Sequence, residues 1–246
     1  MRHVLAIDDA TAQSADTWAG CLDAALAAGF EAIDVPAGAG PDRISQASQR
    51  GLRPVVVRWR DGLIGPRTRK TDGWPEPATE NLASSLGWIA DAGGAIATVR
   101  PAHNAAGGQD AEVASYADAL WRTHEALIAL RLPMESSGVS VGVEAAADGF
   151  LLSPVELRDL LDRINSPCFA ACLNLADVAR IGRPLDWIGT LRHRIGCVRL
   201  GGESEAELND IAAALREVLY AGPVVCGGEP NEATRMLERF PVRAAH

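Results

Sequence analysis

Short runs of β-branched and apolar residues alternate along the chain with Ala-, Leu-, Glu- and Arg-rich stretches whose apolar positions recur at helical spacing. This alternation predicts βα units around a parallel sheet. Strands are expected over residues 3–7, 31–35, 53–59, 95–100, 139–144, 168–173, 195–200 and 223–226. Helices are expected over 18–28, 42–49 and 79–92, each closed by a glycine that suits a helix C-terminus: Gly29, Gly51 and Gly93. A longer helix is expected over 110–131, with Leu120, His124, Leu127 and Ile128 on one face and Trp121 beside them. Ser153, Pro154 and Glu156 read as the N-cap, first position and third position of a capping box opening another helix. The longest irregular stretch, 60–77, holds Gly62, Gly65, Pro66, Pro75 and Pro77. Eight strands, each followed by a helix, in 246 residues match the count and size of a single (β/α)8 TIM barrel over residues 1–246. Length alone also admits two small domains, but no linker and no internal repeat interrupts the pattern.

In such a barrel the interior is filled by side chains, and chemistry belongs to the C-terminal ends of the strands. The polar residues expected there are Asp8, Asp9, Asp34, Arg58, Arg60, Arg100, Glu144, Asn174, Arg199 and Glu229. Four arginines at strand ends, with Arg67, Arg69 and Lys70 on the third loop, suggest a site for a phosphate or carboxylate, groups that guanidinium forks suit; the other reading is solvated loop charge. His103 and Asn104 follow the fourth strand in a Gly-rich loop, either touching a ligand or lying on the surface. Gly201–Gly202 and Gly227–Gly228 follow the last two strands, where barrels often offer backbone N–H groups to phosphate, but two glycine pairs are a weak signal. Trp18, Trp59 and Trp74 suit core or helix packing better than stacking on a ligand. His193, in a helix-to-strand turn, belongs to the opposite end of the barrel.

Charge narrows the partners. A formal net charge of −9 argues against a nucleic-acid backbone, which is bound by clustered Lys and Arg. No apolar run reaches transmembrane length, so no membrane partner is expected. The first residues read as a strand and not as a signal peptide. Five cysteines, an odd number without CxxC spacing, read as reduced thiols in the core, for which a cytoplasmic location is the simplest setting.

The stretches VSVGVEAAADGFLLSPVELRDLLDRI, SPCFAACLNLADV and RIGCVRLGG, with AALAAGFEAIDV and GLRPVVVR earlier, resemble the xylose isomerase-like family of TIM barrels, which includes sugar-phosphate isomerases, ketose 3-epimerases and inosose dehydratases. The resemblance spans nearly the whole chain and implies the barrel fold. It also implies where a divalent metal would be held in the family: by Glu, Asp, His and Glu on the last four strands. In this chain the first Glu falls on Glu144, while the Asp is Asn174, the His that follows it by three is Asp177, the next His is Arg199, and the last Glu is Gly227, with Glu229 two residues on.

Those exchanges change the chemistry. Hard dications prefer anionic oxygens. An amide is a poor substitute, glycine offers nothing, and a guanidinium has no lone pair to give. The sequence therefore predicts no cofactor, with Arg199 supplying the charge and Glu144 pairing with it. The alternative is a Mn2+ or Mg2+ site rebuilt from Glu144, Asp177 and Glu229 with His103. On the enzyme reading, the chain is a sugar-phosphate isomerase/epimerase-like protein with Glu144 as base and Arg58, Arg100, His103, Asn174, Arg199 and Glu229 contacting a small anionic sugar or sugar acid. On the other reading the barrel is catalytically silent and binds a ligand or serves an assembly, and Glu144 is one half of a salt bridge. The sequence leaves a homodimer open.

Overall fold

The computed structural model describes residues 1–59, 63, 67–68, 79–101, 111–112, 115–145 and 150–240. Eight parallel strands close into a barrel: β1 (Arg2–Ala6), β2 (Ala32–Pro36), β3 (Arg53–Trp59), β5 (Ile96–Val99), β7 (Ser140–Ala145), β8 (Phe169–Asn174), β9 (Ile195–Leu200) and β10 (Pro223–Cys226). Each pairs with its predecessor in the ring, and β1 closes the circle on β10. Two short strands, β4 (Arg67–Thr68) and β6 (Ala111–Glu112), form a separate antiparallel pair that the sequence did not signal. The helices are α1 (Asp9–Gln13), α2 (Ala15–Ala27), α3 (Gly40–Gln49), α4 (Thr79–Asp91), α5 (Tyr116–Ser137), α6 (Pro154–Ile164), α7 (Leu175–Ile181), α8 (Pro184–Leu191), α9 (Glu205–Glu217) and α10 (Pro230–Leu237). None of the described helices is long and apolar enough to cross a membrane.

Strand periodicity separates two cores. One residue parity faces the helices and joins the large cluster that includes Leu5, Ile33, Val57, Ala97, Val143, Leu173, Val198 and Val224. The other parity points into the barrel, where Val4, Ala32, Val56, Ile96, Cys172, Cys197 and Val225 make a small apolar plug. Two residues further along five of these strands, on the same face by the period-two rule, stand Asp34, Arg58, Thr98, Asn174 and Arg199. The apolar plug thus gives way to a polar layer at the C-terminal mouth. All five cysteines are free, as the sequence suggested, and Cys172 and Cys197 are direct cross-strand partners beneath that layer. A hydrogen bond with Cys197 and burial hold the Cys172 thiol well above the usual thiol range, so it remains protonated.

Caps fix several strand-to-helix turns. The Ser153–Glu156 capping box forms as expected, each side chain meeting the other's backbone N–H at 3.2 Å. Gly93 has a φ of +86°, and a Cβ on Gly94 would lie 2.8 Å from the Ile89 carbonyl oxygen, so the pair ending α4 has to be glycine. Asp8 and Asp9 belong to the start of α1 and not to a catalytic strand end. Asp8 Oδ1 accepts from the Thr11 backbone N–H at 2.8 Å, and this bond above all lowers the Asp8 pKa.

The long helix differs most from expectation. It runs over Tyr116–Ser137 and not 110–131, because β6 occupies 111–112 and Ser115 supplies the N-cap. It continues through Pro133 because Leu130 and Met134 bury themselves on either side, and Gly138 then ends it in the left-handed conformation. Its buried face carries Ala119, Thr123, Ala126, Leu127, Leu130 and Met134, while Trp121 and Ile128 face outward.

Candidate functional site

Three arginines and three carboxylates are linked at the barrel mouth. Arg199 extends from β9 across the opening. Its Nε and Nη2 donate to Asp34 Oδ2 at 3.1 and 2.7 Å, and its Nη1 donates to Glu144 Oε1 at 3.0 Å. Asp34 is fully buried on β2, and Arg58 Nε lies 3.0 Å from its other oxygen. That N–H is not aimed along a hydrogen bond, so the Arg58 contact is chiefly Coulombic. The far end of Arg58 donates to the Ile7 carbonyl. On the other side, Arg100 Nε stands 3.6 Å from Glu144 Oε2, and its Nη2 stands 3.8 Å from Asp177 Oδ2. Asn174 Nδ2 donates to the same Asp177 oxygen at 3.0 Å.

Burial grades the members. The side chains of Arg199, Arg58 and Glu144 are 12%, 14% and 10% exposed, whereas that of Arg100 is 36% exposed. Burial by itself disfavours the Arg199 charge, but the neighbouring carboxylates, Asp34 foremost, more than compensate and hold its pKa well above the ordinary guanidinium value. Arg199 is therefore a permanent cation whose donors are taken by two carboxylates. Arg100 is the accessible cation of the group, and its two carboxylate contacts are longer than hydrogen bonds.

The expected pairing of Glu144 with Arg199 is present. Asp34 is the larger surprise, since it takes two of the three Arg199 hydrogen bonds. Arg58, expected to face a ligand, is turned to Asp34 and the backbone. Asn174 and Asp177 form one hydrogen-bonded unit beneath Arg100. Glu229 stays outside the network, exposed in the residue that precedes α10. His103, Asn104, Arg60, Arg69, Lys70 and Trp74 lie outside the described residues. Trp18 is buried in the core and Trp59 packs against it, in keeping with the packing reading. The Gly201 N–H, a candidate phosphate donor, already donates to Glu203 at 2.8 Å.

No family model and no curated protein matches the sequence. Solved structures do match in shape. The chain superposes on an E. coli 3-keto-D-glucoside 4-epimerase, YcjR, with a TM-score of 0.78 over 98% of both chains at 12% identity. A D-psicose 3-epimerase solved in the presence of D-fructose gives 0.71 over 96% of this chain and 90% of that one at 14% identity. A fusion protein of a xylose isomerase-like TIM barrel and 4-hydroxyphenylpyruvate dioxygenase gives 0.71 over 99% of this chain and 45% of that one at 15% identity. The fold is that of the xylose isomerase-like TIM barrels.

The resemblance read in the sequence raises the question of a divalent metal. Among the described residues, no three His, Cys, Asp or Glu side chains are grouped to hold one. Asp34 and Glu144 face each other across Arg199, whose nitrogens already sit at 2.7–3.1 Å from their oxygens. A dication among those oxygens would meet the guanidinium at contact distance. At 4 Å, a divalent and a single positive charge repel by about 8 kcal/mol at an effective dielectric of 20. The described donor set does not fit the metal.

Proposed function

We propose that this protein is a sugar isomerase/epimerase-like barrel that receives a small anionic polyhydroxy compound, a sugar acid or sugar phosphate, at its C-terminal mouth without a divalent metal. Arg199 supplies fixed positive charge at the centre. The carrying observation is Arg100. Its guanidinium is the exposed one of the three, and its present contacts at 3.6 and 3.8 Å are loose enough for a ligand carboxylate or phosphate to replace. The epimerases among the structural neighbours support a polyhydroxy ligand as the class to try first.

Two outcomes at Glu144 separate an enzyme from a silent binder. Proton transfer beside a carbonyl needs a base and a nearby cation to hold the developing oxyanion. Glu144 has Arg199 and Arg100 within 3.0 and 3.6 Å. The same contacts favour the silent reading, because a carboxylate so held must release a partner before it accepts a proton.

Calorimetric titration with a panel of sugar acids and sugar phosphates tests the binding claim. Arg100→Gln is expected to weaken the best ligand by roughly tenfold or more, the value of a lost charge-assisted contact, with an unchanged melting temperature. Equal affinity in wild type and variant would refute the role given to Arg100. Deuterium uptake from solvent into the bound ligand, lost in Glu144→Gln, would identify an enzyme; binding without uptake would identify a silent barrel.

A further inference from the structure

We propose that two copies of this chain associate through α5 and α6, with Arg131 and Leu132 of each copy entering the groove between those helices on the other. Among the described residues, six of the eight large apolar side chains left exposed lie on α5, on α6 or just before α6. Trp121, Ile128 and Leu132 are 62%, 39% and 73% exposed. At 100° per residue they fall within about 40° of one another on the helix, so they form a single outward stripe. Contiguous apolar surface of this kind marks an interface more often than a bare face.

Beside the N-terminal half of that stripe lies a groove of about 610 Å3, floored by Leu120 and Leu160 and edged by Trp121, Glu156 and Asp159. The C-terminal half of α5 offers the complement, an exposed Leu132 and an Arg131 that meets Glu135 at 3.0 Å in an exposed pair of little worth. Knob and hole thus lie at opposite ends of one helix. A twofold axis across α5, level with the Ala126–Leu127 peptide, makes the two helices antiparallel and sets Leu132 of each copy against Trp121 of the other. The same operation brings Arg131 level with position 122 on the flank that faces α6, where the carboxylates of Glu156 and Asp159 stand. Both contacts occur twice, as an isologous interface requires. Charge supports self-association here: Glu125, Glu156 and Asp159 outnumber Arg163 along the groove, the Arg158 contact of Asp159 is a loose, exposed 3.6 Å pair, and an arginine marks the knob, although the chain as a whole carries −9 and copies repel elsewhere. Four helices then pack as a bundle, α5 and α6 from each copy.

Sedimentation velocity on the full chain across the micromolar range tests this. Wild type is expected to sediment as a dimer. Leu132→Glu and Arg131→Glu should each weaken association by roughly tenfold or more while leaving the circular-dichroism melt unchanged. Adding Asp159→Arg to Arg131→Glu should restore the dimer, a rescue that a merely structural role for Arg131 would not give. If Leu132→Glu fails to fold, the Arg131→Glu and reversal pair carries the test alone. A monomeric wild type overturns the proposal, and so does a dimer that survives both single substitutions.

Discussion

Asp34→Ala is expected to be among the most destabilising single substitutions in the barrel, costing about 3–5 kcal/mol, because it leaves buried charge without its partner. Asp34 is fully buried and accepts two hydrogen bonds from Arg199 while facing Arg58 at 3.0 Å. Its removal strands two guanidiniums that are 12% and 14% exposed. Arg58 keeps the Ile7 carbonyl and Arg199 keeps Glu144, so the loss should fall within that range instead of exceeding it. For a chain of this length, such a loss corresponds to a melting temperature lower by roughly 10 °C. A fall below about 1 kcal/mol, the size of an exposed ion pair, would mean that water already screens the mouth and that the network is not the electrostatic unit described.

Arg199→Met should cost a similar amount by the opposite route, leaving Asp34 and Glu144 facing one another without the cation between them. The two losses are not independent, since each removes the same pair of hydrogen bonds. The double variant Asp34→Ala/Arg199→Met should therefore be more stable than the sum of the singles predicts, by about 1–3 kcal/mol, the usual coupling of contacting residues. Denaturant unfolding of the four proteins measures this directly. Strict additivity would show that Arg199 and Asp34 do not act on each other.

The strand pattern carried the fold. Periodicity placed β3, β9 and β10 at the residues where they form, and the remaining barrel strands within a residue or so. Helix α5 was misplaced at both ends because two residues of β6 read as helix formers and because packing carries the helix past Pro133. An amphipathic pattern names two faces but not which one the barrel covers, and the face read as Leu120, His124, Leu127 and Ile128 divides between them: Leu127 is buried and Ile128 points outward. At the mouth, the Arg199–Glu144 pair was legible because, against the family pattern, the sequence keeps one carboxylate and gains a cation two strands along the barrel. The Arg199–Asp34 pair was not, because the partners lie 165 residues apart on strands that approach only when the barrel closes. Asp34 did announce itself in one respect, as an acid within the run Ala32–Pro36, every residue of which is buried. A buried acid in a strand demands a cation, and only the fold says which. Glu229 shared strand parity with the mouth, but the chain turns into α10 before that position could be used.

In the proposed reading, a guanidinium holds the place where the sequence resemblance puts a dication. Titrating Mn2+ into chelator-treated wild-type protein, followed by calorimetry and by the melting temperature, tests it most directly. The account predicts no heat of saturable binding and no thermal shift. A one-to-one isotherm that vanishes in Glu144→Ala would contradict it, since it would place a metal against the very oxygens that Arg199 is said to occupy.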